Sequence, residues 1–75
     1  MADDLTPLEL DILRWLLKDG ACGPKRIAEQ IGAHPVSVSQ SLAALAEEDL
    51  VVDKGYSDWT LTIDGIRLIR AIDRE

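Results

Sequence analysis

Apolar positions fall at helical spacing in four stretches of the chain and alternate in one short stretch. Leu8, Ile12, Trp15 and Leu16 share one helical face and predict a first helix. Leu10, Leu13 and Leu17 make a second stripe on the same helix, so it should be covered on two sides, by the last helix or by a second subunit. Thr6-Pro7-Leu8-Glu9 marks its start. Thr6 caps, Pro7 takes the first helical position and Glu9 reaches back to close a capping box. Leu5 and Leu10 are spaced for a hydrophobic staple, and the helix should run to about Lys18 and stop at Gly20.

A second, short helix opens at Gly23-Pro24, turns Ile27, Ala28 and Ile31 inward and closes at Gly32. The third begins with His34 as cap and Pro35 as first residue. Val38, Leu42 and Leu45 form its buried seam, and it ends near Glu48. Leu50-Val51-Val52 then reads as a strand. Asp53 to Asp58 is a turn cluster around Gly55, and Trp59 to Thr62 alternates Trp59 and Leu61 inward with Thr60 outward. Ala21-Cys22, between two glycines, is placed to add a short third strand. Thr62 can cap a last helix from Ile63 to about Asp73, with Asp64 in its first turn. The expected fold is mainly α with a small β wing. Its order of helix, short strand, two helices, hairpin and helix is that of a winged helix-turn-helix.

On the last helix Ile63, Ile66, Ile69 and Ile72 recur at every third position beside Leu68. Part of this row must cover the core. The remainder, with the second stripe of the first helix, is the expected dimer surface: Leu10, Leu13, Leu17, Ile66, Ile69 and Ile72. Arg67, Arg70 and Arg74 form a basic edge suited to ion pairs, within or between subunits.

Composition narrows the classes. Seventy-five residues make one small domain, which buries about 60% of its unfolded surface and has no room for a deep catalytic cleft. No catalytic triad pattern, phosphate loop or paired-carboxylate pattern stands out, so no enzyme is expected. One His and one Cys are too few for a zinc site, and no cofactor or small-molecule ligand is implied. Cys22 and the two tryptophans read as core residues. No apolar run is long enough to cross a membrane, and the acidic start lacks the basic, apolar character of a signal segment. A lone cysteine excludes an internal disulfide, and the expected location is cytoplasmic.

Charge adds the sharpest clue. Nine Asp and five Glu stand against three Lys and five Arg, for a net charge of −6. Excess Asp with scarce Lys suits a salt-loaded cytoplasm, where self-repulsion is screened, and points to a halophilic source. The plainer alternative is an ordinary acidic domain kept soluble by its charge. The charge is uneven: residues 1–23 carry −3, residues 47–75 carry −4, and residues 24–46 carry +1. The one segment that is not negative is the helix-turn-helix unit, and Ala33 to Ala46 hold no Lys, Arg, Asp or Glu at all.

That distribution nominates the residues that would meet DNA. Lys25 and Arg26 open the second helix, which crosses the phosphate backbone in a helix-turn-helix. Opposite the Val38 seam, the third helix presents Val36, Ser37, Gln40 and Ala44, flanked by Ser41. Gln pairs with adenine, Ser bonds to bases or phosphate, and Val or Ala methyls touch the thymine methyl. The candidate base-reading set is His34, Ser37, Gln40 and Ser41. Lys25, Arg26, Lys54 and Tyr56 are the candidate phosphate contacts, with Asp53 and Asp58 working against deep insertion of the wing.

These residues also resemble a family. The run "ILRWLLKDGACGPKRIAEQIGAHPVSVSQSLAALAEEDLVV", followed by "WTLTIDGIRLI", is similar to prokaryotic winged helix-turn-helix transcription regulators. The small repressor-like proteins of haloarchaea and their viruses are most similar in layout. The resemblance spans about residues 5–72. It rests on Ile27-Ala28 with Ile31-Gly32, Val38-Ser39 with Leu42 and Leu45, Glu47 to Val51, and Leu61 to Gly65. It implies a regulator that binds double-stranded DNA, usually as a homodimer, with the third helix in the major groove and the wing beside the backbone. Two positions depart from the pattern. Asp49 stands where relatives carry the glycine that ends the helix, and the third helix and wing lack the usual basic residues. The competing function for the same fold is a protein-interaction module that does not touch DNA.

Overall fold

A computed structural model describes residues 5–56 and 58–74. The acidic start of the chain, Ser57 of the hairpin and Glu75 lie outside the described residues. The order is α1 (Pro7–Asp19), α2 (Pro24–Ile31), α3 (Pro35–Glu47), β1 (Val51–Asp53), β2 (Trp59–Leu61) and α4 (Ile63–Arg74). Over the described residues the architecture is a winged helix: four helices and one two-stranded antiparallel wing.

Local chemistry sets each boundary. At α1, Glu9 N–H donates to Thr6 Oγ1 at 3.1 Å, and Thr6 N–H donates to Glu9 Oε1 at 2.8 Å, so both halves of the capping box form. Gly20 (φ 99°) ends α1, and Gly32 (φ 72°) ends α2 in the left-handed region. α3 ends through Asp49, at φ 58°. Its N–H reaches back to the Ala46 carbonyl at 3.0 Å, while the next N–H, of Leu50, reaches Leu45 at 3.0 Å. Asp tolerates this backbone better than most side chains, which is how the helix ends without glycine. Glu47, Glu48 and Asp49 therefore crowd the negative end of the α3 dipole. Asp49→Asn keeps the left-handed tolerance and removes one charge. It is expected to raise stability by about 0.3–1 kcal/mol in dilute buffer and by little in molar KCl, as read by thermal unfolding in both salts.

The core joins Ile12, Leu13 and Leu16 of α1, Ile27 and Ala28 of α2, Val38, Leu42 and Leu45 of α3, Leu50, Val51 and Leu61 of the hairpin, Ile69 of α4, and Cys22. Helix α1 runs through the middle, packed against α2, α3, β2 and α4. This corrects part of the expected dimer surface. Leu13 and Ile69 are fully buried inside the protomer, because α4 supplies the second wall of α1. Leu10, Leu17, Ile66 and Ile72 are half-buried. The isoleucine row of α4 also fails to act as one stripe. Three residues advance about 300° on a helix, so a three-residue repeat drifts around the axis. Ile69 faces the core, Ile66 and Ile72 flank it, and Ile63 is 69% exposed.

The hairpin pairs Val51 with Leu61, Val52 with Thr60 and Asp53 with Trp59. The third strand expected at Ala21-Cys22 reduces to a single bridge, in which Cys22 and Trp59 exchange backbone hydrogen bonds of 2.9 and 2.8 Å. Pro24 follows too closely for the segment to pair further, since it already opens α2. The bridge still ties the base of the wing to the start of α2. Trp15 and Trp59 sit at the edge of the core, half-buried, and the Trp15 indole N–H is buried without an acceptor among the described residues.

The Leu61–Gly65 motif is a structural junction. Thr62 N–H donates to the Leu50 carbonyl at 3.1 Å, and the Thr62 hydroxyl donates to the Asp49 carbonyl. The same oxygen caps α4 by accepting from Gly65 N–H at 3.0 Å. A Cβ on Gly65 would overlap the Leu50 carbonyl oxygen. The end of α3 and the start of α4 are thus clasped backbone to backbone.

Candidate nucleic-acid interface

The candidate reading helix is held from below by its apolar seam and from its start by a cap. Val38, Leu42 and Leu45 have no exposed surface. His34 Nδ1 accepts from Val36 N–H at 3.1 Å, and the His34 carbonyl accepts from Val38 N–H at 3.0 Å. His34→Ala removes the cap and is expected to lower stability by about 1 kcal/mol, while His34→Asn should keep most of it, as measured by urea unfolding.

The exposed face of α3 carries no charge until Glu47. His34, Val36, Ser37, Ser39, Gln40, Ala43 and Ala44 are all exposed, and Val36 is 57% so. Of the four residues expected to read bases, His34, Ser37 and Gln40 are therefore accessible, and Ser41 is half-buried. Ser37, Gln40, Ser41 and Ala44 line a shallow hollow of about 410 Å³ whose other wall is Thr6, Leu8 and Glu9 at the start of α1. One flank of the face thus meets the first turn of α1, including the Glu9 carboxylate. Sequence reasoning missed that neighbour, because Glu9 already had a role in the capping box.

Lys25 and Arg26 are exposed on the first turn of α2. They line an open hollow of about 700 Å³ with Gly23, Gln30, Glu29 and Asp58. Glu29 follows from helical spacing. Asp58 comes from the wing, brought there by the Cys22–Trp59 bridge beside it. Two acids therefore share the space around the two bases; Glu29 is already counted in the +1 of residues 24–46, and Asp58 offsets that remaining charge.

The wing is short and its tip is built by its own backbone. Asp53 Oδ1 accepts from Gly55 N–H at 2.7 Å, so this carboxylate is turned onto the loop. Lys54 N–H donates to the Asp58 carbonyl at 2.7 Å, and Asp58 N–H donates to the Gly55 carbonyl at 3.1 Å. Gly55 (φ 100°) and Tyr56 (φ 54°) are both left-handed. Lys54 is exposed, and Tyr56 stands fully exposed at the tip. Between α1 and α4, Arg14 Nε donates to Asp73 Oδ1 at 2.9 Å, with Asp11 Oδ1 at 3.9 Å from the same guanidinium. These groups are largely exposed, and such a bridge contributes about 0–1 kcal/mol.

Among the described residues no cluster of His, Cys, Asp or Glu is arranged to hold a metal ion. No described helix is long and apolar enough to cross a membrane.

No protein-family model matches the chain, and no curated protein matches it in sequence. Solved structures do match. A MarR family transcriptional regulator from Streptomyces coelicolor is 27% identical, with a TM-score of 0.86 over 93% of this chain and 52% of that one. The reduced form of MarR from E. coli is 14% identical, with a TM-score of 0.89 over 95% of this chain and 53% of that one. A MarR family protein of Mycobacterium tuberculosis, solved in complex with DNA, is 23% identical, with a TM-score of 0.86 over 93% and 54%. The chain spans about half the length of these proteins. Nearly all of it is similar in fold to the winged-helix part of solved transcription regulators, one of them held on DNA.

Proposed function

We propose that this protein is a sequence-specific, double-stranded-DNA-binding transcription regulator. It acts as a homodimer with α3 in the major groove and the wing beside the backbone. The observation that carries this is the outer face of α3. It is uncharged from His34 to Ala46, backed by the core, and exposed at His34, Val36, Ser37 and Gln40 among the described residues. Lys25, Arg26, Lys54 and Tyr56 would position the complex on phosphate, and the Glu47–Asp49 cluster keeps the C-terminal end of α3 away from it. The test is selection of bound fragments from random duplex DNA across a KCl series. Recovery of a defined site supports the proposal; no duplex retained at any KCl concentration rejects it. With that site, Gln40→Ala should relax base preference at one position and cost about 1–3 kcal/mol there.

The acidic composition fits a halophilic, archaeal cytoplasm, in which contacts that do not depend on charge would dominate. Circular dichroism in a KCl titration tests this, because full stability at low salt removes the reading. Leu10, Leu17, Ile66 and Ile72 are the part of the expected dimer surface with area left to offer. A monomer that persists at high micromolar concentration in ultracentrifugation rejects the dimer. Glu29 and Asp58 beside Lys25 and Arg26 favour a second reading, a protein-interaction module. Capture of a stable protein partner with no DNA retention would select it.

A further inference from the structure

Val36 is the one large apolar side chain on α3 that the fold leaves outside, at 57% exposure. The core gains nothing from it, because Val38, Leu42 and Leu45 complete the seam. A single exposed apolar residue is ordinary on any surface. Its setting here is what matters. The Val36 N–H is pinned by His34 Nδ1 at 3.1 Å, so its backbone is fixed at the start of the helix. A β-branched side chain in a helix is held near one χ1 rotamer, so its methyl groups are placed in advance. Gln40 follows one turn later on the same exposed face, and no charged side chain lies between them in the chain.

In the major groove each A·T pair shows the C5-methyl of thymine beside the N6 and N7 groups of adenine. Four helical residues rise about 6 Å, close to two base-pair steps of about 3.4 Å. Val36 and Gln40 can therefore address two pairs of one half-site, about two steps apart. We infer that α3 selects two A·T pairs about two steps apart, with Gln40 on adenine of one and Val36 packed on the thymine C5-methyl of the other. The inference rests on the DNA-binding reading and names the sequence class it would take. Methyl contact involves no counterion, so this selectivity should survive in concentrated KCl. His34 acts here as a positioning residue, through the Val36 amide.

The probe is the duplex recovered by selection, remade with each thymine replaced in turn by uracil, which deletes only the methyl group. At one position in each half-site uracil should weaken the unmodified protein about fourfold, the effect of one lost methyl contact, and should leave Val36→Ala unchanged. Val36→Ala should also recover sites with no thymine preference at that position. Its exposed location keeps the fold intact, which circular dichroism checks. Uracil having no effect anywhere, or weakening both proteins equally, overturns the inference while leaving DNA binding in place. Failure to recover any duplex removes the DNA-binding reading itself.

Discussion

Gly65→Ala is expected to destabilise the protein by about 1–3 kcal/mol, the usual range for forced overpacking. In an exposed helix the same change would stabilise by about 1 kcal/mol, because alanine is the better helix former. The sign reverses here because the new methyl group would sit on the Leu50 carbonyl oxygen. That oxygen cannot rotate aside. It is backbone, and it is already held by the Thr62 N–H at 3.1 Å. Relief would require α4 to lift from the α3–β1 junction, which would pull Ile69 from the core and weaken the Thr62 cap. Total stability at this size is about 4–11 kcal/mol, so the loss is a large share of it. Urea unfolding measures it directly. A Gly65→Ala protein as stable as its parent would show that the close approach of α4 to Leu50 is wrong.

The second large effect is electrostatic and has two signs. A dimer presenting Lys25, Arg26 and Lys54 twice would make at most about six phosphate contacts, for a slope of log affinity against log salt near −5. Lys25→Ala with Arg26→Ala should reduce that slope by roughly 3–4 and weaken all sequences alike, leaving base preference untouched. Asp58→Asn should do the opposite. It removes an acid from the hollow that holds Lys25 and Arg26, and should tighten binding several-fold in dilute salt and little in molar KCl. Fluorescence anisotropy with the selected duplex over a KCl series reads both. If Asp58→Asn leaves affinity unchanged in dilute salt, the wing base does not temper the α2 contact. If the double variant alters base preference instead of slope, these residues are not phosphate contacts.

Every helix was legible in the sequence because each is announced by short-range chemistry. Thr6 to Glu9, Gly23-Pro24, His34-Pro35 and Thr62 mark the starts. Gly20, Gly32 and Asp49 mark the ends. These signals act over three or four residues, within reach of pattern reading. The buried seam of α3 and the hairpin were legible for the same reason.

Contacts across the chain were not. Leu13 and Ile69 looked like surface for a partner, because periodicity tells that a face is apolar and not which neighbour covers it. Tertiary packing of α4 on α1 put both in the core. Gly65 stood in the sequence only as the end of the Leu61–Gly65 motif, and its close approach to the Leu50 carbonyl came from the fold. Ser41 looked exposed until the first turn of α1 closed in beside it. The sequence by itself determined the elements, their order and an α3 that is uncharged up to Glu47, since these depend on neighbours in the chain. Only the fold decided what surrounds the candidate interface. Glu9 from α1 beside Ser37 and Gln40, and Asp58 from the wing beside Lys25 and Arg26, lie far apart in sequence and meet only because the shared core fixes where each element lies.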